Sequence, residues 1–230
     1  MRMASLTSEL YQHSASPPKM AQLLASHAGF LVEQLVDPDA VLEVGSVYAA
    51  DMDGDGHNDL IYNEQLDNRV RIFWGDSSGN FSTNNVSTVA IGRSGAGGDV
   101  GDINNDGIMD LLYSNQDYSR MVFVPGTGNR QFGSQSNISQ SGFPQSTELH
   151  DLNGDGNLDA LISLGGQGCI TKWIGNGNGS FSNQGCFFSH TGAPYSGDID
   201  ADGLVEVLVS SGGILHRYDL NASGNIDSQS

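Results

Sequence analysis

The chain has 230 residues, among them 31 glycines and 21 aspartates but six glutamates. Because Asp competes for the backbone hydrogen bonds of a helix, this composition argues against a mostly helical fold and favours short strands joined by turns. The formal net charge of −18, with nine Lys and Arg residues, argues against binding to nucleic acid or to an anionic membrane surface. No apolar run approaches the roughly 20 residues of a membrane-spanning helix, so we expect no membrane insertion.

Residues 1–40 admit two interpretations. The rest of the chain repeats a unit of about 50 residues, described below, that carries an acidic loop and is typical of a β-propeller blade. Counted back by one such unit, the Gly-Phe pair at 29–30 corresponds to the turn before Phe81, which indicates a degenerate blade without an acidic loop. The alternative is a helix, with Ser16 as its N-cap and Pro17 at its first position. The sequence alone leaves both interpretations open.

From residue 41 onward the chain repeats one acidic motif four times. The motif reads Asp-x-Asp/Asn-x-Asp-Gly-x-x-Asp/Glu, and its copies begin at Asp51, Asp102, Asp151 and Asp198. Successive copies are 51, 49 and 47 residues apart, a period typical of β-propeller blades. We number the motif positions 1 to 9 and call the four copies loops 1 to 4.

A short apolar run follows every copy, and a second run stands about ten residues further on. The runs after loops 1 and 2 are residues 60–62 and 111–113. Runs this short, bounded by Gly and Asn, are typical of strands, and a few strands per repeat are typical of a propeller blade. The sequence therefore predicts an all-β fold, with one β-propeller domain over residues 1–230. Four blades of about 47–51 residues occupy residues 41–230, and residues 1–40 form a degenerate fifth blade or a helical extension.

The alternating carboxylate and amide oxygens of the loops are typical ligands of a hard cation. Side chains at positions 1, 3, 5 and 9 point inward, position 7 offers its main-chain carbonyl, and the glycine at position 6 permits the turn. Because every ligand atom is an oxygen, calcium is favoured over zinc or copper. We predict about four calcium ions, held by Asp51, Asp53, Asp55, His57 and Asp59; by Asp102, Asn104, Asp106, Ile108 and Asp110; by Asp151, Asn153, Asp155, Asn157 and Asp159; and by Asp198, Asp200, Asp202, Leu204 and Glu206.

The acidity of the chain is concentrated in these loops, which hold fourteen of the 27 acidic residues. A single loop would equally fit an Asp/Asn/Gly turn that satisfies its own backbone, but four copies in register favour a cation site. Without a bidentate carboxylate at position 12, each site is expected to bind calcium weakly, at about 10⁻⁴ to 10⁻³ M.

The D-x-D-x-D-G-x-x-D loop before an apolar strand, with Gly-x-Phe turns half a period away, resembles the FG-GAP/VCBS repeats of integrin-α-like β-propellers. The resemblance covers residues 41–230 and implies a calcium-binding propeller, a fold that serves as adhesion module, lectin or accessory part of polysaccharide-active enzymes. Asn105 and Ala201 stand where the family has glycine at position 4, and Glu206 stands where it has Asp at position 9. These departures predict unequal calcium affinities among the loops.

The two cysteines are predicted to form a disulfide. If Ile174 faces Phe181 across the Gly-Asn-Gly-Asn-Gly turn, Cys169 and Cys186 lie opposite each other on neighbouring strands, near the separation that a disulfide needs. The alternative is a pair of buried thiols. A disulfide would indicate an oxidising compartment.

No motif of a hydrolase, metalloprotease or phosphate-binding loop is present in the sequence. We therefore expect a non-catalytic, calcium-stabilised recognition or adhesion module that binds a glycan or an extracellular protein. Tyr48, His150 and Tyr195, which precede loops 1, 3 and 4 by one to three residues, are the candidate ligand contacts. A polysaccharide lyase or hydrolase domain and a structural spacer are the alternatives. The expected location is extracellular or at the cell surface, with the targeting segment absent from this chain.

Overall fold

The computed structural model describes residues 44–64, 68–92 and 95–229, and within these ranges every regular element is a strand. Residues 1–40, for which a blade and a helix were the two interpretations, lie outside the described residues. None of the described residues belongs to a helix that could cross a membrane. The predicted all-β fold is therefore confirmed.

Sixteen of the strands form four antiparallel sheets of four strands each, which we call blades 1 to 4. Blade 1 contains β1 (Val44–Ala50), β2 (Asp59–Glu64), β3 (Arg69–Gly75) and β4 (Phe81–Ala90). Blade 2 contains β5 (Gly95–Gly101), β6 (Asp110–Asn115), β7 (Arg120–Val124) and β10 (Ser136–Ser139), and carries an inserted hairpin of β8 (Gly126–Gly128) and β9 (Gln131–Phe132). Blade 3 contains β11 (Phe143–His150), β12 (Asp159–Gly165), β13 (Cys169–Gly175) and β14 (Phe181–Phe188). Blade 4 contains β15 (Pro194–Gly197), β16 (Glu206–Ser211), β17 (Ile214–Leu220) and β18 (Ile226–Gln229).

The second strand of each blade explains the short, continuous apolar runs of the sequence. Every residue of β6 and of β12 is buried, whereas most of β14 is exposed. A strand that is covered on both faces reads as a continuous apolar run rather than as an alternating pattern. The second strands of blades 2 and 3 therefore lie at the centre of a stack of sheets.

Three apolar cores separate the consecutive blades. The neighbours Leu111 and Leu112 on β6 belong to different cores, because successive side chains of a strand point to opposite faces. The cores contain Ile61, Ile72, Trp74, Leu111 and Val122 between blades 1 and 2; Leu112, Phe123, Ile162 and Trp173 between blades 2 and 3; and Leu161, Ile170, Val207 and Tyr218 between blades 3 and 4. This face-to-face stacking of small sheets is the arrangement predicted for propeller blades.

The predicted disulfide between Cys169 and Cys186 is present and joins β13 to β14, with the two Cα atoms 5.8 Å apart. The predicted register was wrong by one residue, because Phe181 lies opposite Gly175 rather than Ile174. Two irregularities in the β13–β14 pairing shift the register further and place Cys186 opposite Thr171. The bond therefore runs diagonally across the two strands, still within the Cα separation that a disulfide requires.

Candidate functional site: acidic loops and an interblade cleft

The four acidic loops occupy equivalent places, each joining the first strand of its blade to the second. Loops 2 and 3 touch directly, since the Asn105 side-chain amide donates a hydrogen bond to Asn157 Oδ1 at 2.7 Å. The turn between β13 and β14 of blade 3 also reaches loop 2, because the main-chain N–H of Gly179 donates to the carbonyl of Ile103 at 3.4 Å. Equivalent placement and these contacts put the loops on one side of the stacked sheets.

All four loops share one pattern of internal hydrogen bonds. In loop 1 the Asp51 carboxylate accepts from the main-chain N–H groups of Gly54, Asp55 and Gly56 at 2.8, 3.1 and 2.8 Å. Asp55 accepts from the N–H of His57 at 2.9 Å. In loops 2, 3 and 4 the carboxylates of positions 1 and 5 accept the corresponding bonds from the N–H groups of positions 5, 6 and 7. Local side-chain to backbone bonds therefore define the turn.

The glycine at position 6 has a left-handed backbone conformation in every loop, with φ between 84° and 87°. Position 4 is left-handed as well, at glycine in loops 1 and 3 but at Asn105 (φ 58°) and Ala201 (φ 64°) in loops 2 and 4. Asn tolerates this conformation better than Ala does. The departures noted in the sequence thus keep the shape of the loop, at a conformational cost in loop 4.

The carboxylate at position 9 ties the loop to the rest of its blade, a role that the sequence analysis did not identify. Asp59 is fully buried, and its two oxygens accept hydrogen bonds from the N–H groups of Met52 and Gly75, both at 2.8 Å. Asp110 and Asp159 repeat both bonds, whereas Glu206 accepts from Ile199 at 2.7 Å. A glycine sixteen residues after position 9 was the available signal, because a Cβ on Gly75 would collide with the Asn58 carbonyl.

Burial raises the pKa of the position-9 aspartates of loops 1, 2 and 3. Desolvation raises the pKa of Asp110 and of Asp159 to about 6, and the backbone N–H donors only partly offset it. The pKa of Asp59 is raised for the same reason. A cation beside these groups would favour their ionised form.

In two of the loops, three carboxylates lie close enough together to hold a cation. In loop 1 the carboxylate oxygens of Asp51, Asp53 and Asp59 lie within 4.8 Å of one another, and Asp198, Asp200 and Glu206 are equally close in loop 4. Loops 2 and 3 replace the position-3 carboxylate by the amides of Asn104 and Asn153, which still offer an oxygen. The structure thus brings predicted ligands together, and an all-oxygen set of this kind fits calcium.

We call the first strand of each blade its inner strand. The inner strands of consecutive blades are joined by hydrogen bonds of the residue three places before loops 1, 2 and 3. The Tyr48 hydroxyl hydrogen-bonds to the carbonyl of Gly98 in blade 2. Asp99 accepts from the N–H of Leu149 in blade 3 at 2.8 Å, and Glu148 accepts from the N–H and hydroxyl of Ser196 in blade 4 at 3.0 and 3.1 Å.

The three residues predicted to contact a ligand differ in their exposure to solvent. Tyr48 is partly buried in its contact with blade 2, His150 is partly buried at the end of β11, and Tyr195 is 52% exposed on blade 4. Desolvation raises the pKa of Asp99 to about 6 and, together with the charge of Asp99, that of Glu148 to about 7. The three predicted contacts lie on three different blades, and Tyr195 is the most accessible of them.

A cleft of about 520 Å³ opens between the outer strand β4 of blade 1 and the β8–β9 hairpin of blade 2. Its lining is mostly polar: residues 87–90, Val124, residues 130–133 and Gln135. Ser87 lies at its base, where its hydroxyl accepts from the Trp74 indole and donates to the Arg130 carbonyl, both at 3.1 Å. The sequence analysis did not identify this cleft, because the two sides come from different blades.

The FG-GAP-like repeat profile matches the chain three times, over residues 51–113, 102–162 and 151–209. These matches cover the loops and strands described above. The chain belongs to the FG-GAP-like repeat family. Repeats of this family make the chain a candidate binding module. Among curated protein sequences no match to this FG-GAP-like chain is found.

One solved structure shares the fold at low sequence identity. A lectin from Agrocybe aegerita, described as recognising non-reducing terminal N-acetylglucosamine, matches with a TM-score of 0.57 and 17% identity over 80% of this chain and 50% of that one. The FG-GAP-like chain thus spans about half the length of that lectin. The V. cholerae biofilm matrix protein Bap1 (TM-score 0.45, 18% identity, 80% and 28% coverage) and BBS1N in complex with ARL6DN (0.45, 14%, 84% and 68%) are more distant.

Proposed function

We propose that this chain is a calcium-stabilised extracellular recognition module that binds a glycan without chemically altering it. The observation that carries the proposal is the recurrence of one loop geometry in four blades, with carboxylate oxygens close together in loops 1 and 4, beside a separate polar cleft between blades 1 and 2. The disulfide supports an extracellular location, because such bonds persist in oxidising compartments. A fold shared with a lectin makes a saccharide the first ligand class to test.

In the proposed calcium-bound form, the carboxylates and amides at positions 1, 3, 5 and 9 and the carbonyl at position 7 hold one ion per loop. The ion supplies positive charge that offsets the mutual repulsion of the loop carboxylates. Since an ion bound only to the folded loop favours folding by mass action, calcium should raise the melting temperature. The position-9 carboxylate extends this effect, because it also holds the third strand in blades 1 and 3 and the first strand of the inserted hairpin, β8, in blade 2.

The cleft between blades 1 and 2 has the lining that a saccharide requires. Thr88 and Gln131 are exposed on opposite sides, and Phe132, which is partly buried against the core between blades 1 and 2, lines the cleft beside them. Polar groups at fixed positions beside an aromatic ring are typical of sites that bind sugars. Tyr195 and His150, on the inner strands, are the competing ligand surface.

Thermal unfolding with and without calcium tests the calcium part of the proposal. We expect 5 mM calcium chloride to raise the melting temperature above that measured in EDTA, and magnesium at the same concentration to raise it less. Asp51→Ala, Asp102→Ala, Asp151→Ala and Asp198→Ala should each lower the number of ions bound in calorimetric titration by one. An unchanged melting temperature together with no measurable heat of calcium binding would refute this part.

Binding to immobilised glycans tests the ligand part. Thr88→Ala and Gln131→Ala should weaken binding of the glycan that the screen identifies, whereas Gln184→Ala, an exposed change on β14 outside the cleft, should not. Loss of binding in Tyr195→Ala but not in the cleft variants would move the site to the inner strands. Turnover of a polysaccharide would support the enzyme alternative, and the absence of any bound glycan or protein would support the spacer.

A further inference from the structure

Two of the four loops hold an arginine against the carboxylate at position 3. In loop 1, Arg130 Nε lies 2.6 Å from Asp53 Oδ2, and its Nη2 lies 3.6 Å from Asp55 Oδ2. In loop 4, Arg217 Nη2 lies 2.5 Å from Asp200 Oδ2 and 3.9 Å from Glu206 Oε1. Asp53 and Asp200 are among the predicted calcium ligands, so each guanidinium touches a carboxylate that an ion would also use.

The arginines occur at the two loops that have a carboxylate at position 3. Loops 2 and 3 have Asn104 and Asn153 there, and each amide donates to the position-5 carboxylate, at 3.0 and 3.1 Å. Within the described residues, no ion pair to an arginine is found at either of these loops. A loop of four acids with a guanidinium and a loop of three acids with an amide carry the same formal charge.

The two arginines reach their loops by unrelated routes. Arg130 comes from the β8–β9 hairpin of the next blade, where it lies 5.0 Å from the Trp74 ring and donates to Asn85 Oδ1 at 3.1 Å. Arg217 comes from β17 of the same blade and also pairs with Asp219 at 2.5 Å. Because the arginines hold different places in their repeats, a shared position in the repeat does not account for the common contact. What loops 1 and 4 have in common is the extra carboxylate.

We propose that Arg130 and Arg217 are tethered cations that neutralise the position-3 carboxylates of loops 1 and 4 and compete with calcium there. The inference rests on the proposed calcium binding. Without calcium, the guanidinium lowers the repulsion among the four carboxylates of its loop. When calcium enters, it competes with the guanidinium for the Asp53 or Asp200 carboxylate, and each arginine retains a second partner in Asn85 or Asp219. Loops 2 and 3 therefore fill first, and loops 1 and 4 fill at higher calcium concentration.

Calorimetric calcium titrations of the whole chain test the proposal. The wild-type protein should show two classes of site, with two ions in each. Arg130→Gln and Arg217→Gln should each tighten calcium binding at one weak site by about tenfold, because the competing charge is removed. The same variants should melt at a lower temperature than the wild-type protein in EDTA. Arg69→Gln, which breaks an ion pair with Glu64 away from the loops, is the matched control and should leave calcium affinity unchanged.

Asp53→Asn provides a second route if an arginine variant does not fold. This change makes position 3 of loop 1 like that of loops 2 and 3, and adding Arg130→Gln to it should then produce no further change in calcium affinity. Calcium binding that is unchanged in both arginine variants overturns the proposal while leaving the calcium-stabilised module intact. Absence of calcium binding to the wild-type protein refutes the proposed calcium binding itself, and the competition with it. Additive effects of Asp53→Asn and Arg130→Gln also overturn the inference.

Discussion

At the scale of single residues, the position-9 carboxylate has a structural role besides its predicted role as a calcium ligand. Asp159 is buried and accepts one backbone N–H at each of its oxygens, from Leu152 at the start of the loop and from Gly175 at the end of the third strand. Its raised pKa shows that burial of the charge has a cost. This cost is offset because, without the carboxylate, the two N–H groups would be buried without an acceptor.

Asp159→Asn should therefore destabilise the calcium-free protein by about 2 kcal/mol, since the amide can accept only through its oxygen and leaves one N–H without a good partner. Urea denaturation in EDTA measures this change in the free energy of unfolding. The matched control is Asp155→Asn in the same loop, whose carboxylate is exposed. Equal stability losses in the two variants would show that the buried hydrogen bonds of Asp159 contribute no more to the free energy of unfolding than the exposed ones of Asp155.

Ala201 shows the conformational cost of the loop most clearly. Its φ of 64° is unfavourable for a residue with a Cβ, and the equivalent residues in loops 1 and 3 are glycine. Ala201→Gly should raise the free energy of unfolding by about 0.5–1 kcal/mol, the strain relieved less the extra entropy of glycine in the unfolded chain. Ala222→Gly, in an exposed turn without positive φ, should not stabilise the protein. A loss of stability in Ala201→Gly would contradict this account.

At the scale of strands, a side chain at one repeat position hydrogen-bonds across each blade boundary, and its residue type differs from boundary to boundary. Tyr48, Asp99 and Glu148 stand at the same place in their repeats and all reach the following blade. Glu148 is the carboxylate at the boundary between blades 3 and 4, and burial raises its pKa. The stability of this boundary is therefore expected to depend on pH.

Glu148 should make stability fall as the pH rises. Its pKa is about 7 in the folded protein against an ordinary value of 4.5, so the folded state binds the proton more tightly. Its contribution is complete below pH 4.5 and is lost as the pH rises through about 7. Glu148→Gln should flatten this part of the profile and leave the variant about 1–2 kcal/mol more stable relative to wild type at pH 8 than at pH 4.

Urea denaturation at pH 4, 5, 6, 7 and 8 in EDTA measures the effect of Glu148→Gln. Asp99, whose pKa is about 6, titrates in the same range and will leave a smaller slope in the variant. The comparison is therefore between the two slopes rather than between single values. Parallel profiles for the wild-type protein and Glu148→Gln would show that this carboxyl does not change its ionisation on folding.

At the scale of the whole molecule, the described blades form a series whose members bury the same repeat position against the next blade. The second residue after position 9 is Ile61, Leu112 and Leu161 in blades 1 to 3, and all three are fully buried in successive cores. The equivalent Leu208 of blade 4 is only partly buried, beside the exposed Tyr195. The outward side of blade 4 is therefore less well covered at this position than the sides that face the three cores.

Leu161→Ala and Leu208→Ala make a matched pair that measures how well this last face is covered in solution. Leu161→Ala removes a fully buried side chain and should cost about 2–5 kcal/mol of stability, whereas Leu208→Ala should cost clearly less. The measurement is the free energy of unfolding of both variants in the same buffer. An equal cost for the two would show that the outward face of blade 4 is as well covered as the inner cores.

The sequence by itself determined the repeat, the all-β fold, the shape of the loops and the disulfide pairing. These features depend on local chemistry: the Asp, Asn and Gly spacing of the loops, the apolar runs of β6 and β12, and two cysteines on adjoining strands. The calcium ligands remain a prediction from the same pattern.

Only the tertiary structure decided which residues meet across blades. Arg130 lies 77 residues from Asp53 in sequence, and Glu148 lies 48 residues from Ser196. Nothing local marks such pairs, because they form only when one sheet packs on the next and the hairpin of one blade reaches the loop of another. The register of β13 and β14 differs from the prediction by one residue at the turn itself, and irregularities in the strand pairing, which depend on packing rather than on turn sequence, shift it further. The cleft beside β4 likewise exists only because two blades border it.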